Sequence, residues 1–209
     1  MQSIESNFFI FNLLESGHDA HLHYFVMKLL KGQTIAQELK DISDQLRAPY
    51  NPLELIDLIT QICNGLEHAH DKGLLHRDIK PANLIVSPEG KVTIMDFGIV
   101  KKLTSDTVSA FQTAHGKIFG TPEYMAPEQA LGKGEYSPAA DLYALCVLAY
   151  EMICGELPFQ AETPIEMILQ HIRISPPKFK GYAQGKYPTL ERIILRGMAK
   201  NPFERFGTA

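Results

Sequence analysis

Cysteine is scarce, long apolar runs are missing, and positive charge is in deficit. The three cysteines, Cys63, Cys146 and Cys154, form no C-x-x-C pair and fall inside apolar stretches. That pattern excludes a disulfide framework and predicts reduced thiols in a cytoplasmic setting. The most apolar stretch, Leu142 to Tyr150, is nine residues bounded by Asp141 and Glu151, far short of the roughly 20 that cross a bilayer. No basic segment followed by an apolar run opens the chain, which argues against a secretory leader. Twenty Lys+Arg against 24 Asp+Glu leave a net charge of −4, which argues against a nucleic-acid partner. Low-complexity tracts and internal repeats are missing as well.

What is present is ordinary globular material. Hydrophobic residues make up 45% and charged residues 21% of 209, enough to bury a core. The charge is uneven: from His171 onward eight Lys/Arg face only Glu191 and Glu204. This is either a solvated basic face or a docking surface for acidic groups.

Two aromatic and branched runs, Phe8–Leu14 and His21–Met27, are separated by the turn-like Glu15–Asp19 and predict an antiparallel hairpin. Beyond Gly32 the pattern is mostly helical. Asn51-Pro52-Leu53-Glu54 predicts a capped helix start, with Leu55, Ile59, Ile62, Leu66 and Ala69 on one apolar face and Gly73 as its left-handed end. Short strands follow at Asn83–Val86 and Lys91–Met95 around the turn Ser87–Gly90. Ser137-Pro138 opens a helix apolar all round to Cys154, the signature of a helix buried at a domain centre. Thr163-Pro164-Ile165-Glu166 is a capping box, and a last helix spans about 189–199. The irregular stretch Gly98–Gln129 is long enough to be functional. None of the histidine groups has zinc-ligand spacing; His68 and His70 project from different sides of a helix.

Three motifs carry chemistry. His76-Arg77-Asp78-Ile79-Lys80-Pro81-Ala82-Asn83 lies between a predicted helix and strand. Asp96-Phe97-Gly98 follows a strand, and Ala126-Pro127-Glu128 comes thirty residues later. They place two carboxylates, an amide and an ammonium on loops at strand ends. Phosphoryl transfer uses such a set: oxygens for Mg²⁺, a carboxylate to accept a hydroxyl proton, and a cation on the moving phosphate.

In these motifs, in this order, the chain resembles the catalytic domain of eukaryotic-type serine/threonine protein kinases, in particular their bacterial branch. The resemblance implies an α+β, protein-kinase-like fold with a mostly helical large lobe, with ATP and Mg²⁺ as cofactors and protein Ser/Thr hydroxyls as acceptors. It implies that Asp78 is the catalytic base, that Lys80 meets the γ-phosphate, and that Asn83 and Asp96 hold metal. Thr121 would hydrogen-bond to Asp78 and Lys80. Met27, Lys28 and Leu30 would form the gatekeeper and hinge beside adenine, with Ile85 as its floor. His76 and Phe97 would join the stack that aligns the lobes, with Gly98 completing its motif. Glu128 would pair with Arg205, and Asp141 would bind the backbone around His76-Arg77. Arg77 would receive a phosphorylated loop, with Thr104, Ser105, Thr107, Ser109 and Thr113 as candidate acceptors. A kinase dimer is a further expectation.

By the same resemblance residues 1–30 correspond to a remnant of the small lobe: the end of its helix, two strands and the hinge. Residues 31–209 correspond to a large lobe that stops before its final helix. No G-x-G-x-x-G and no suitably placed strand lysine occurs in the chain. The expectation is a kinase whose 209 residues alone have little or no activity, truncated at both ends and cytoplasmic, with any membrane anchor outside the segment. The alternatives are a non-catalytic, pseudokinase-like interaction module and a small-molecule phosphotransferase, which the Ala126-Pro127-Glu128 platform disfavours.

Overall fold

The structure, a computed structural model, describes residues 13–19, 22–44, 49–97, 121–132 and 137–209. Strands β1 (Leu13–Asp19) and β2 (Leu22–Met27) pair antiparallel, with Asp19 opposite Leu22 and Leu13 opposite Met27. The expected turn at Glu15–Asp19 is therefore strand. Each of its residues has a partner in β2, and that ladder outweighs the turn preference of Ser16 and Gly17. The expected strand residues Phe8–Asn12 lie outside the described residues.

A second sheet has the order β3-β4-β5, from Gln33–Thr34, Leu84–Val86 and Val92–Ile94. Gly32 leads into it at φ +143, where a Cβ would overlap the Val86 carbonyl, so glycine is required for the approach. Helix α1 (Ile35–Ser43) begins on a Thr34 cap that accepts from Gln37 N–H at 3.2 Å.

Helix α2 (Pro52–His70) starts as its sequence dictates: Asn51 Oδ1 accepts from the Leu53 and Glu54 N–H groups, both at 3.0 Å. Its buried face comprises Leu55, Leu58, Ile62, Leu66 and Ala69, while Ile59 is only half-buried. Gly73 ends the run at φ +71, as expected. Then come α3 (Pro127–Leu131), α4 (Pro138–Cys154), α5 (Pro164–Arg173) and α6 (Pro188–Gly197). The Thr163–Glu166 box caps α5.

Helix α4 is the axis of the large lobe. Fourteen of its 17 residues are buried, because it is apolar on every side and is packed against α2, α6 and the short turns 122–124 and 181–183. Removing a large side chain here, such as Leu148, leaves a cavity costing about 2–5 kcal/mol. An apolar cavity of about 720 Å³, bounded by Leu55, Ile59, Cys63, Leu145 and Cys146 among others, lies between α2, α4 and α6. None of the motif residues lines it, so it is separate from the candidate site described below. Among the described residues no helix is long and apolar enough to cross a membrane.

Candidate active site

Asp78 sits on the loop between α2 and β4, with Lys80 two residues on and Asn83 closing a single 3₁₀ turn, Pro81–Asn83. The loop is supported from below by Asp141, 2% exposed at the start of α4. Its Oδ2 accepts from His76 N–H at 2.9 Å and its Oδ1 from Arg77 N–H at 2.7 Å. A buried carboxylate is tolerable because consecutive amides and the His70 ring (Nε2 at 2.9 Å) satisfy it.

His76 joins this loop to the one after β5. It is fully buried, and burial pushes its pKa down against the opposing pull of Asp141, so the ring is neutral. Its two contacts assign the tautomer: Nε2–H donates to Met95 O at 2.7 Å, and Nδ1 accepts from Asp78 N–H at 3.2 Å. Phe97 packs edge-on against the ring, centroids 4.8 Å apart. Met95 N–H in turn donates to Asn83 O at 2.8 Å. Met95 is thus held at both its N–H and its carbonyl, and Asp96 after it adopts φ +55.

Above the loop, Lys80 Nζ lies 2.8 Å from Asp78 Oδ2 and donates to Thr121 Oγ1 at 3.1 Å. The Thr121 hydroxyl reaches Asp78 only through this lysine. Asn83 Nδ2 donates to Asp78 O at 2.8 Å and lies 3.4 Å from Asp78 Oδ2, which leaves the Asn83 Oδ1 oxygen for another partner. That oxygen and the exposed Asp96 carboxylate, on loops linked through Met95, are hard oxygen donors of the kind that could hold Mg²⁺.

Other expected residues are placed as follows. Glu128 and Arg205 form a two-pronged ion pair at 2.7 and 2.8 Å. Met27 ends β2 and is 43% exposed; Lys28 is exposed and Leu30 half-buried. The chain runs on from them into β3, whose Thr34 pairs with Ile85. Gly98 and the loop acceptors Thr104, Ser105, Thr107, Ser109 and Thr113 lie outside the described residues.

Three contacts were not expected from sequence. Besides His70 on Asp141, the Tyr124 hydroxyl donates to Glu151 Oε2 at 2.6 Å, fastening the 121–126 segment to α4. Burial pushes both the tyrosine and the carboxyl up in pKa. Gln129 of α3 donates from Nε2 to Arg77 O at 3.2 Å. The partners are 27 to 71 residues apart in sequence, so no local pattern announces them.

A family profile described as "protein kinase domain" matches residues 1–208. The chain is 32% identical over 200 residues to serine/threonine-protein kinase PrkC of Bacillus subtilis, covering 96% of this chain and 29% of that protein. It is 36% identical over 188 residues to serine/threonine-protein kinase PknB of Mycobacterium tuberculosis, covering 90% and 29%. The chain therefore spans less than a third of the length of these relatives.

Proposed function

The chain belongs to the protein kinase domain family, and from that membership we propose that it carries the catalytic loops of a serine/threonine protein kinase, which transfers the γ-phosphate of ATP to Ser/Thr hydroxyls of proteins. The observation that carries this reading is the connected set Asp78–Lys80–Thr121, with Asn83 hydrogen-bonded to Asp78 and Asp96 anchored through Met95. Residues 1–30 are assigned to the small lobe and 31–209 to the large lobe.

In this reading the Asp78 carboxylate orients the acceptor hydroxyl and takes its proton, while Lys80 meets the charge on the transferred phosphoryl group. Thr121 keeps that lysine beside Asp78 and ties the loop to the 121–126 segment where a protein substrate would lie. Asn83 and Asp96 would hold Mg²⁺, which supplies charge neutralisation to the phosphates. Met27, Lys28 and Leu30 would face adenine from one side and Ile85 from the other. Phosphorylation within Thr104–Thr113, countered by Arg77, is the proposed means of activation; phosphopeptide mapping of active protein that found this loop unmodified would remove it.

A glycine-rich phosphate loop and its strand lysine do not occur in these 209 residues, so the chain alone is expected to turn over ATP far below the usual kinase range of about 1–100 s⁻¹. That same feature favours the second reading, a non-catalytic interaction module. Grafting onto this chain a small lobe that carries a glycine-rich loop and strand lysine, taken from an active serine/threonine kinase, separates them. Peptide phosphorylation that appears with the graft and vanishes in Asp78→Asn supports the enzyme. A folded graft that binds partners without transferring phosphate supports the module.

A further inference from the structure

Arg77 is held at φ +66, one residue ahead of Asp78. A long side chain adopts that left-handed backbone only where its surroundings over-determine it. The surroundings here are specific. Arg77 N–H donates to Asp141 Oδ1 at 2.7 Å. The peptide that follows is fixed at both ends: Asp78 N–H donates to His76 Nδ1, and the Arg77 carbonyl accepts from Gln129 Nε2, each at 3.2 Å.

His76 belongs to the loop itself, and Asp141 to the rigid central helix. Gln129 differs, because it belongs to α3 and faces two ways. Its Oε1 accepts from the Ala126 N–H at 3.0 Å, the last residue before α3 and fully buried. One side-chain amide therefore joins the backbone of the 121–126 segment to the backbone directly before Asp78. A rotation of the Arg77–Asp78 peptide plane turns the Asp78 side chain, so whatever restrains the plane restrains the carboxylate.

We propose that Gln129 is a positioning residue that keeps Asp78 in register with the 121–126 segment, so that displacement of the segment re-aims the carboxylate. The mechanical link stands on the geometry alone; its consequence for phosphoryl transfer rests on the kinase reading above.

The test is residue-resolved hydrogen exchange on the 209-residue chain. Gln129→Glu keeps the acceptor for Ala126 but replaces the donor with an oxygen that repels the Arg77 carbonyl. At pH 7 the Asp78 amide should lose protection about tenfold while the Ala126 amide keeps it. Protection at Asp78 should return as pH falls toward about 4.3, where a carboxyl regains an O–H donor. Gln129→Met, neutral and of similar length, should expose both amides, and it decides the matter if the glutamate variant does not fold. In the lobe-grafted protein Gln129→Glu should lower kcat about tenfold with KM for ATP unchanged, and it should shift the pH profile toward acid. Unchanged protection at Asp78, or losses spread evenly over α2 and α4, would overturn the proposal. A wild-type graft that transfers no phosphate would overturn the kinase reading instead, while the exchange result would still decide the link.

Discussion

Arg205 and Glu128, 77 residues apart, meet as a guanidinium and a carboxylate in parallel, Nη1 to Oε1 at 2.7 Å and Nη2 to Oε2 at 2.8 Å. The arginine is 3% exposed, and its other donors reach the carbonyls of Ala199, Ala139 and Lys200. It thus ties α3, the start of α4 and the C-terminal segment together. Glu128→Ala would strand a buried guanidinium and is expected to cost about 3–5 kcal/mol in urea unfolding. Arg205→Lys should also be costly, since a lysine has no planar fork to replace these contacts. Losses below about 1 kcal/mol in both would show that the pair is not a structural tie.

Gly197 of α6 faces Cys146 of α4 so closely that a Cβ would overlap Sγ. Alanine is ordinarily the better helix former, yet Gly197→Ala is expected to destabilise by about 1–3 kcal/mol through overpacking. Adding Cys146→Ala should recover most of the loss, and a double-mutant cycle reads the coupling. An additive cycle would count against it.

His171 supplies a pH dependence. The ring is fully buried, its Nδ1 meets the Tyr143 hydroxyl at 2.8 Å, and its buried Nε2 makes no hydrogen bond. Burial, helped by Lys200, lowers its pKa to about 4. The folded value lies below the unfolded one of about 6.5, so the unfolded chain takes up the proton first. The stability due to the neutral ring is intact above pH 6.5 and is lost as pH falls toward 4. The total is about 3 kcal/mol. His171→Asn should flatten that part of the stability–pH curve; an unchanged slope would contradict the assignment.

Lys80 and Thr121 separate two contributions to the proposed chemistry. In the lobe-grafted protein Lys80→Ala is expected to lower kcat by about 10²–10³, as for loss of one electrostatic contact to a transition state. Thr121→Ala should cost about tenfold, because it frees the lysine without removing it, and Thr121→Ser should restore the rate. Steady-state peptide kinetics distinguish these outcomes, and equal effects of the two alanine variants would refute the ordering.

Much of the fold was legible because its determinants are local. Asn51-Pro52 caps α2, Thr163–Glu166 caps α5, and the unbroken apolar run of α4 announces a buried helix. Where pairing with a distant strand decides, local signals mislead. Glu15–Asp19 reads as a turn yet lies in β1, and the two-residue β3 is too short to show a period. The motif frame led to the residues around Asp78 and Asp96. It did not lead to His70, Gln129 or the Tyr124–Glu151 contact, whose partners meet only after the helices have packed.

Arg77 and Asp96 are the only non-glycine residues at positive φ among those described. Arginine has no local preference for that backbone and aspartate only a modest one, so contacts from elsewhere support both geometries: Asp141 and Gln129 for Arg77, and His76 and Asn83 through Met95 for Asp96. Such a site is expected to assemble late in folding and to come apart early in unfolding. A chain with its helices formed but its large lobe loosely docked would show native circular dichroism and no usable arrangement of carboxylates. On gentle heating, the loop geometry should relax before the secondary structure does, so loss of function would precede any visible unfolding.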